Sequence, residues 1–226
     1  MVMKAKKVVV FDLDDTLYNE RDYLKSAYNQ IALLISDELS LDQPVVYQYM
    51  IELFDGKKNV FEDIIKKYQT SYSIKDFLYL YRNHKPNIKL SKDRLALIKL
   101  LHSKGVPMGI LTDGRCVQQR NKIEALDIAD YFTEIIVSEE FGSEKPNPKN
   151  YKYFEKTFGD ANYYYIGDNI KKDFVTPNSL NWTTIRVLDN GLNIHKNIDS
   201  NFDEKYLAHH NVSDFNQITA LLDILN

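Results

Sequence analysis

Asp12 and Asp14 lie in the run VVVFDLDDTLYNE, where four apolar residues lead straight into a group of aspartates. In an extended strand, residues i and i+2 face the same way, so the two carboxylates can converge at the strand's carboxyl end. Such a pair repels, and both members ionise only beside a positive charge; otherwise one keeps a proton. The chemistry this suits is a shared cation or paired acid–base work. The plainer alternative is a solvated turn capping the next helix. Three other stretches raise similar questions. Leu111-Thr112-Asp113-Gly114 places a hydroxyl ahead of a glycine turn, where backbone N–H groups can cradle a phosphate. An ordinary turn and cap would read the same way. In SEEFGSEKPNPKNY, Lys145 is restricted to an extended approach by Pro146. It is either a fixed positive charge or, as lysines usually are, a surface group. Ile166-Gly167-Asp168-Asn169 adds a further carboxylate, and Asp173 follows, where it could equally serve as a helix N-terminal charge.

Each stretch follows a short apolar run. Lys7–Phe11, Val106–Leu111, Glu134–Val137, Tyr163–Ile166 and Thr183–Val187 suit strands buried on both faces, as in a parallel sheet. Helical spacing appears between them, over Asp93–Ser103, Gln118–Leu126 and Asn150–Phe158, and again in the tail over Asp214–Leu225. Strands alternating with helices predict a doubly wound α/β core. One interval breaks the rhythm. From Leu17 to about Pro86 there is no buried strand, only helical patterns over Tyr23–Leu39, Pro44–Phe54, Val60–Tyr68 and Ile74–Arg82. Four helices with short connections suffice for a small bundle inserted after the first strand. The expected division is therefore a core of residues 1–16 and 87–226 and a helical insertion of residues 17–86. The Asn- and Asp-rich stretch Asp189–Asp203 reads as irregular surface. All four chemical stretches then fall at one rim of one sheet, the carboxyl ends of the strands, where open α/β sheets bind ligands.

The 226-residue chain is 44% hydrophobic and 27% charged, with a net charge of -3, as for an ordinary globular protein. No long basic run points to nucleic acid, and no apolar stretch is long enough for a membrane span. One cysteine, Cys116, excludes an internal disulfide framework. MVMKAKK leads directly into a strand with no signal-peptide core, so a cytoplasmic protein is expected. The 16 tyrosines read as amphipathic packing residues. The histidines His84, His102, His195, His209 and His210 show no ligand spacing.

Taken in order, Asp12-x-Asp14-x-Thr16, Thr112, Lys145-Pro146 and Gly167-Asp168-x4-Asp173 resemble the four motifs of the haloacid dehalogenase (HAD) superfamily. The resemblance covers essentially the whole chain. It implies a Rossmann-like, doubly wound parallel sheet with an inserted all-helical cap. By resemblance, Asp12 is the nucleophile of a Mg²⁺-dependent phosphatase and forms an aspartyl-phosphate, while Asp14 is the general acid and then the base. Mg²⁺, a hard cation that takes oxygen ligands, would be held by Asp12, Asp168 and the backbone carbonyl of Asp14. Lys145 and Thr112, with the N–H groups of Asp113 and Gly114, would hold the phosphoryl oxygens. Thr16 would support Asp14, and Asp173 would orient a metal-bound water or Lys145.

Asp14 separates branches of that superfamily. A leaving halide needs no proton, whereas an alkoxide does, so phosphate-ester hydrolysis is favoured over dehalogenation. The substrate implied is a small phosphorylated metabolite, with a monomer or homodimer as the assembly and no nucleic-acid or membrane partner. The alternatives are a sugar phosphomutase and a non-catalytic binding protein on the same fold. A signalling receiver domain is disfavoured, because the third strand ends in Val137-Ser138-Glu139 without a suitable aspartate. A phosphomutase would need cap groups for a second phosphate, and Gly56, Lys57 and Lys58 offer a candidate loop, or merely a solvated turn. Two positions depart from the family pattern. Asn181 stands where glycine is common, though asparagine tolerates a left-handed backbone. Asp113 replaces a frequent asparagine, with Arg115 either offsetting its charge or facing solvent.

Overall fold

The computed structural model describes residues 6–194 and 202–222. Its sheet has six parallel strands in the order β3-β2-β1-β4-β5-β6. These are β1 (Lys7–Phe11), β2 (Met108–Thr112), β3 (Glu134–Val137), β4 (Asn162–Gly167), β5 (Thr183–Val187) and β6 (His210–Val212). The first strand is central. The chain builds outward from it through β2 to β3, then returns to its other side with β4. The carboxyl end of β1 is thus a topological switch point, where neighbouring connections leave in opposite directions and open a crevice. Phe11 lies opposite both Ile110 and Ile166, which puts Asp12, Thr112 and Asp168 at nearly one level of that edge.

Alternation explains the continuous apolar run of β1. Val9 and Phe11 face a cluster with Leu97, Ile98, Met108, Ile123 and Ile218, while Val8 and Val10 face Tyr151, Phe154, Tyr165 and Trp182. With helices on both faces, every residue from Val8 to Phe11 is buried. The covering helices are α5 (Lys92–Ser103), α6 (Cys116–Leu126) and α10 (Phe215–Leu221) on one side and α8 (Pro148–Phe158) on the other, with short α7 (Ser138–Phe141) and α9 (Val175–Ser179) at the edges. Gly109 in β2 is required by this packing, because a Cβ there would sit 2.4 Å from the Phe154 ring.

Between β1 and α5 run α1 (Glu20–Leu39), α2 (Gln43–Asp55), α3 (Val60–Tyr68) and α4 (Ile74–Asn83). Leu24, Tyr28, Ile31 and Ile35 form one stripe of α1 and join Val46, Met50, Ile64 and Phe77 in a separate hydrophobic cluster. A Ser73–Asp76 capping box starts α4. The tyrosines follow the packing expectation here: Tyr23, Tyr28 and Tyr81 meet edge-on or tilted. His84 is buried beside them and bonds Ser26 and Gln30. Among the described residues, no helix is long and apolar enough to cross a membrane.

Three differences from the sequence reading have simple causes. Strand β6 was not anticipated because only Val212 of its residues is buried. The tail helix is observed over Phe215–Leu221, and the expected continuation to Leu225 lies outside the described residues, as does His195. The stretch beginning at Asp189 lacks regular structure through Ile194, yet it is not merely surface, since Asn193 is buried. Asn181 takes the left-handed backbone that asparagine tolerates (φ 59°).

Candidate active site

A cleft of about 830 Å³ opens at the switch point, lined by Asp12, Asp14, Thr112, Asp113, Lys145 and Asp168, together with Glu20, Lys57, Lys171 and Lys172. The structure therefore gathers residues from the ends of β1, β2 and β4 and from the turn before α8. Deepest is a charged triad. Lys145 Nζ donates to Asp12 Oδ1 at 2.5 Å and to Asp173 Oδ1 at 2.8 Å, and all three side chains are buried. Tyr165 OH adds a bond to Asp173 at 3.3 Å. The other oxygen of Asp173 accepts the backbone N–H groups of Asp168 (3.2 Å) and Asn169 (2.9 Å). Gly167 makes this possible, because a Cβ there would lie 2.4 Å from Asp173 Oδ2.

The charges do not balance. One ammonium serves Asp12 and Asp173, while Asp168 stands nearby. Burial outweighs Lys145 at Asp12 and, helped by the charges of Asp173 and Asp14, pushes its carboxyl up to about 7. At Asp168, burial and then the charges of Asp173 and Asp12 push it up to about 9. For Lys145, burial disfavours the ammonium, but Asp12 and Asp173 overcome it and hold the pKa well above the ordinary value. Carboxylates with raised pKa values need a further positive charge to ionise together. Oxygens of Asp12, Asp168 and Asp173 lie within 4.8 Å of one another, close enough to share an ion. This buried, hard-oxygen donor set fits a divalent cation of the magnesium type. Within it Asp173 is already engaged by four donors. Asp12 and Asp168 are therefore better placed to hold an ion, while Asp173 is bonded to Lys145 and to the turn after β4. Asn193 Nδ2 supports Asp168 at 3.1 Å.

The Asp14 carboxylate adds its charge to this group but takes its hydrogen bonds from different donors. It turns to the other side, where Lys122 Nζ contacts both its oxygens (2.7 and 2.9 Å), Gln119 Nε2 donates at 2.9 Å, and Tyr18 OH donates as well. Burial pushes Asp14 up, but the Lys122 charge and these hydrogen bonds outweigh it and hold the group below the ordinary carboxylate range. Asp15, with a left-handed backbone (φ 54°), accepts the N–H groups of Glu20 (2.8 Å) and Ile194 (3.1 Å). It thereby ties the turn to the start of α1 and to the loop carrying Asn193.

Several expected roles are redistributed. Thr16 donates to Asp12 at 3.3 Å, not to Asp14, because its hydroxyl points back along the turn. The N–H of Gly114 is already donated to Ser138 Oγ at 3.0 Å, so in this structure it is not offered to a ligand. Asp113 does not face the cleft as a donor; it accepts the Lys145 N–H (3.0 Å) and pairs with Lys172 (3.0 Å). Arg115 does not offset it, being exposed and paired with Glu139. Of Gly56, Lys57 and Lys58, only Lys57 lines the cleft. The sequence reading missed Tyr18, Gln119, Lys122 and Asn193. One signal was available. Gln119, Lys122, Ile123 and Leu126 share the buried stripe of α6, so two polar residues occupy positions where packing favours apolar ones.

Comparison with known proteins agrees with this geometry. The sequence profile described as haloacid dehalogenase-like hydrolase matches residues 9–187. The chain belongs to that family. A glyceraldehyde 3-phosphate phosphatase of Methanocaldococcus jannaschii is 29% identical over 193 residues, covering 80% of this chain and 85% of the relative. One from Pyrococcus abyssi is 30% identical over 191 residues, covering 79% and 80%. The crystal structure of a HAD phosphatase from Thermococcus onnurineus superposes with a TM-score of 0.58 over 96% of this chain and 97% of that one, at 18% identity, which shows the common fold. Within the family, these curated relatives place the chain among the phosphoric monoester hydrolases.

Proposed function

We propose that the protein is a Mg²⁺-dependent phosphatase that hydrolyses a small phosphorylated metabolite of the sugar-phosphate class through an aspartyl-phosphate. The observation that carries this is the placement of Asp12. Its carboxylate is held by Lys145 at 2.5 Å and lies within ion-sharing distance of Asp168, on the buried wall of a cleft. Bound Mg²⁺ would be held by Asp12, Asp168 and the backbone carbonyl of Asp14, and would supply the positive charge that lets a phosphate dianion approach a carboxylate.

The chain's own groups do the rest. Asp12 attacks phosphorus in line. The bond to the ester oxygen breaks, and that oxygen leaves with its electron pair and takes a proton through Asp14, which is ionised beside Lys122 in the free protein and takes up that proton from solvent as the negatively charged substrate enters. A water then attacks the aspartyl-phosphate, yielding its proton to the Asp14 carboxylate. The bond from phosphorus to Asp12 breaks, and inorganic phosphate departs. Lys145 keeps the Asp12 carboxylate aimed and adds charge beside the phosphoryl oxygens. Thr112 accepts a hydrogen bond from Gln119 at 2.6 Å, which turns its own hydrogen toward the phosphoryl group. The helices of residues 17–86 act as a cap, and Lys57 carries their positive charge into the cleft. The chain works in the cytoplasm, where such metabolites are found.

Phosphate release from glyceraldehyde 3-phosphate, other sugar phosphates, nucleoside monophosphates and p-nitrophenyl phosphate tests the proposal. Turnover is expected with Mg²⁺, is lost on chelation, and is lost in Asp12→Asn. Release no faster than that of Asp12→Asn across the whole panel would refute it.

A further inference from the structure

Six acids line the cleft: Asp12, Asp14, Asp15, Glu20, Asp113 and Asp168. Five of them accept hydrogen bonds from protein donors. Glu20 is the exception. Its backbone N–H is held by Asp15 at 2.8 Å, which fixes the start of α1 and the point from which the side chain leaves. Among the described residues, its carboxyl accepts no hydrogen bond and forms no ion pair. The residue is only partly exposed, and a sheltered acceptor without a donor calls for a ligand or a water to supply one. An acid at the start of a helix is favoured by the helix dipole alone. Asp22 already provides that charge in the first turn of α1, and the dipole does not require a carboxyl turned into a cleft.

Asp14 and Lys122 are the charges that act on Glu20 most strongly, which places it on the Asp14 side of the cleft. The alcohol part of a bound phosphate ester extends on that side, because Asp14 serves the ester oxygen. A carboxyl accepts hydrogen bonds whether or not it holds a proton. With Lys122 in electrostatic reach, a neutral hydroxyl meets less repulsion there than an ammonium would. We infer that Glu20 is a specificity-determining residue that accepts a hydrogen bond from a hydroxyl of the leaving alcohol, so that the cleft selects polyol phosphates over phosphates of plain alkyl alcohols. The inference rests on the phosphatase reading above and names what the substrate carries besides its phosphate.

The test measures kcat/KM of the full chain with Mg²⁺ on glycerol 3-phosphate and on n-propyl phosphate. Both are primary alkyl esters, and they differ only in the hydroxyls. Wild type should prefer glycerol 3-phosphate by on the order of tenfold or more, which is what a hydrogen bond to a charged group contributes. Glu20→Ala should reduce that preference to less than about threefold. Glu20→Gln keeps an acceptor oxygen of the same reach and should restore part of it. Glu20→Met, of similar length but without an acceptor, carries the test if the alanine variant does not fold. A purely structural role would lower both substrates together, so an unchanged ratio in these variants overturns the inference. So does a wild-type preference below about threefold. If O-phosphoethanolamine is preferred to both esters and Glu20→Ala removes that preference, the carboxyl reads an ammonium and the hydroxyl assignment is overturned. Wild-type protein that hydrolyses none of the three would instead refute the phosphatase reading, and this inference with it.

Discussion

Replacing Gly167 by alanine adds one methyl group to the end of β4, and the structure fixes what that group meets. Its Cβ would lie 2.4 Å from Asp173 Oδ2, 2.8 Å from Cγ and 3.0 Å from Cβ. Asp173 must retreat, but it is fully buried and its carboxylate is engaged by Lys145, Tyr165 and the N–H groups of Asp168 and Asn169. Overpacking of this kind costs about 1–3 kcal/mol, and backbone donors left without a partner add about 1–3 kcal/mol. A loss of about 3 kcal/mol corresponds to roughly 6–12 °C in melting temperature for a chain of this size. Turnover should fall with it, since Lys145 loses the group that orients it. The decisive assay is a double-mutant cycle by urea unfolding. In an Asp173→Gly background, which removes the Cβ together with the carboxylate, the new methyl has room, so Gly167→Ala should then cost less than about 1 kcal/mol, a coupling expected only of residues in contact. Equal cost in both backgrounds, or a single variant melting within about 2 °C of wild type, would refute the proposed contact.

Three further outcomes are expected. In the metal-free protein Asp12 and Asp168 are pushed up to about 7 and about 9. The folded chain therefore retains protons that the unfolded chain has released, and stability should fall as pH rises from about 4 to about 9. Mg²⁺ should therefore raise the melting temperature more at pH 8.5 than at pH 6, and a rise independent of pH in calorimetry would count against a cation at these carboxylates. Lys145→Met leaves Asp12 and Asp173 buried without their counter-charge, which should cost about 3–5 kcal/mol at neutral pH in chemical denaturation and reduce turnover to background. Lys57→Ala should raise KM several-fold with kcat nearly unchanged, the signature of lost uniform binding. A fall in kcat at constant KM would instead place Lys57 in the chemical step.

Much of the architecture is legible in the sequence because its signals are local. The bounds of β1, β3 and β5 follow from apolar runs buried on both faces, and the four helices after β1 follow from periodic stripes such as Leu24, Tyr28, Ile31 and Ile35. The gathering of Asp12, Thr112, Lys145 and Asp168 at one sheet edge is legible because each stands at the end of a strand or in the segment that follows one. What escaped depends on long-range contact. Lys122 resembles any solvated helix lysine until Asp14 and Tyr23 surround it. Asn193 lies in a stretch whose composition promises only exposed loop, and its role appears once the chain doubles back to Asp168. The partner of Thr16 was misassigned because a turn's hydroxyl direction depends on backbone angles that no periodicity reports.

The central place of β1, flanked by β2 on one side and β4 on the other, has a practical consequence for preparing this protein. Neither the amino-terminal nor the carboxyl-terminal half owns all of Asp12, Asp168 and Asp173, so on the proposed assignment a nicked or partly refolded molecule should bind Mg²⁺ poorly even when most of its helices have formed. Titration with the ion would then count intact molecules in a preparation where circular dichroism would only total up helix.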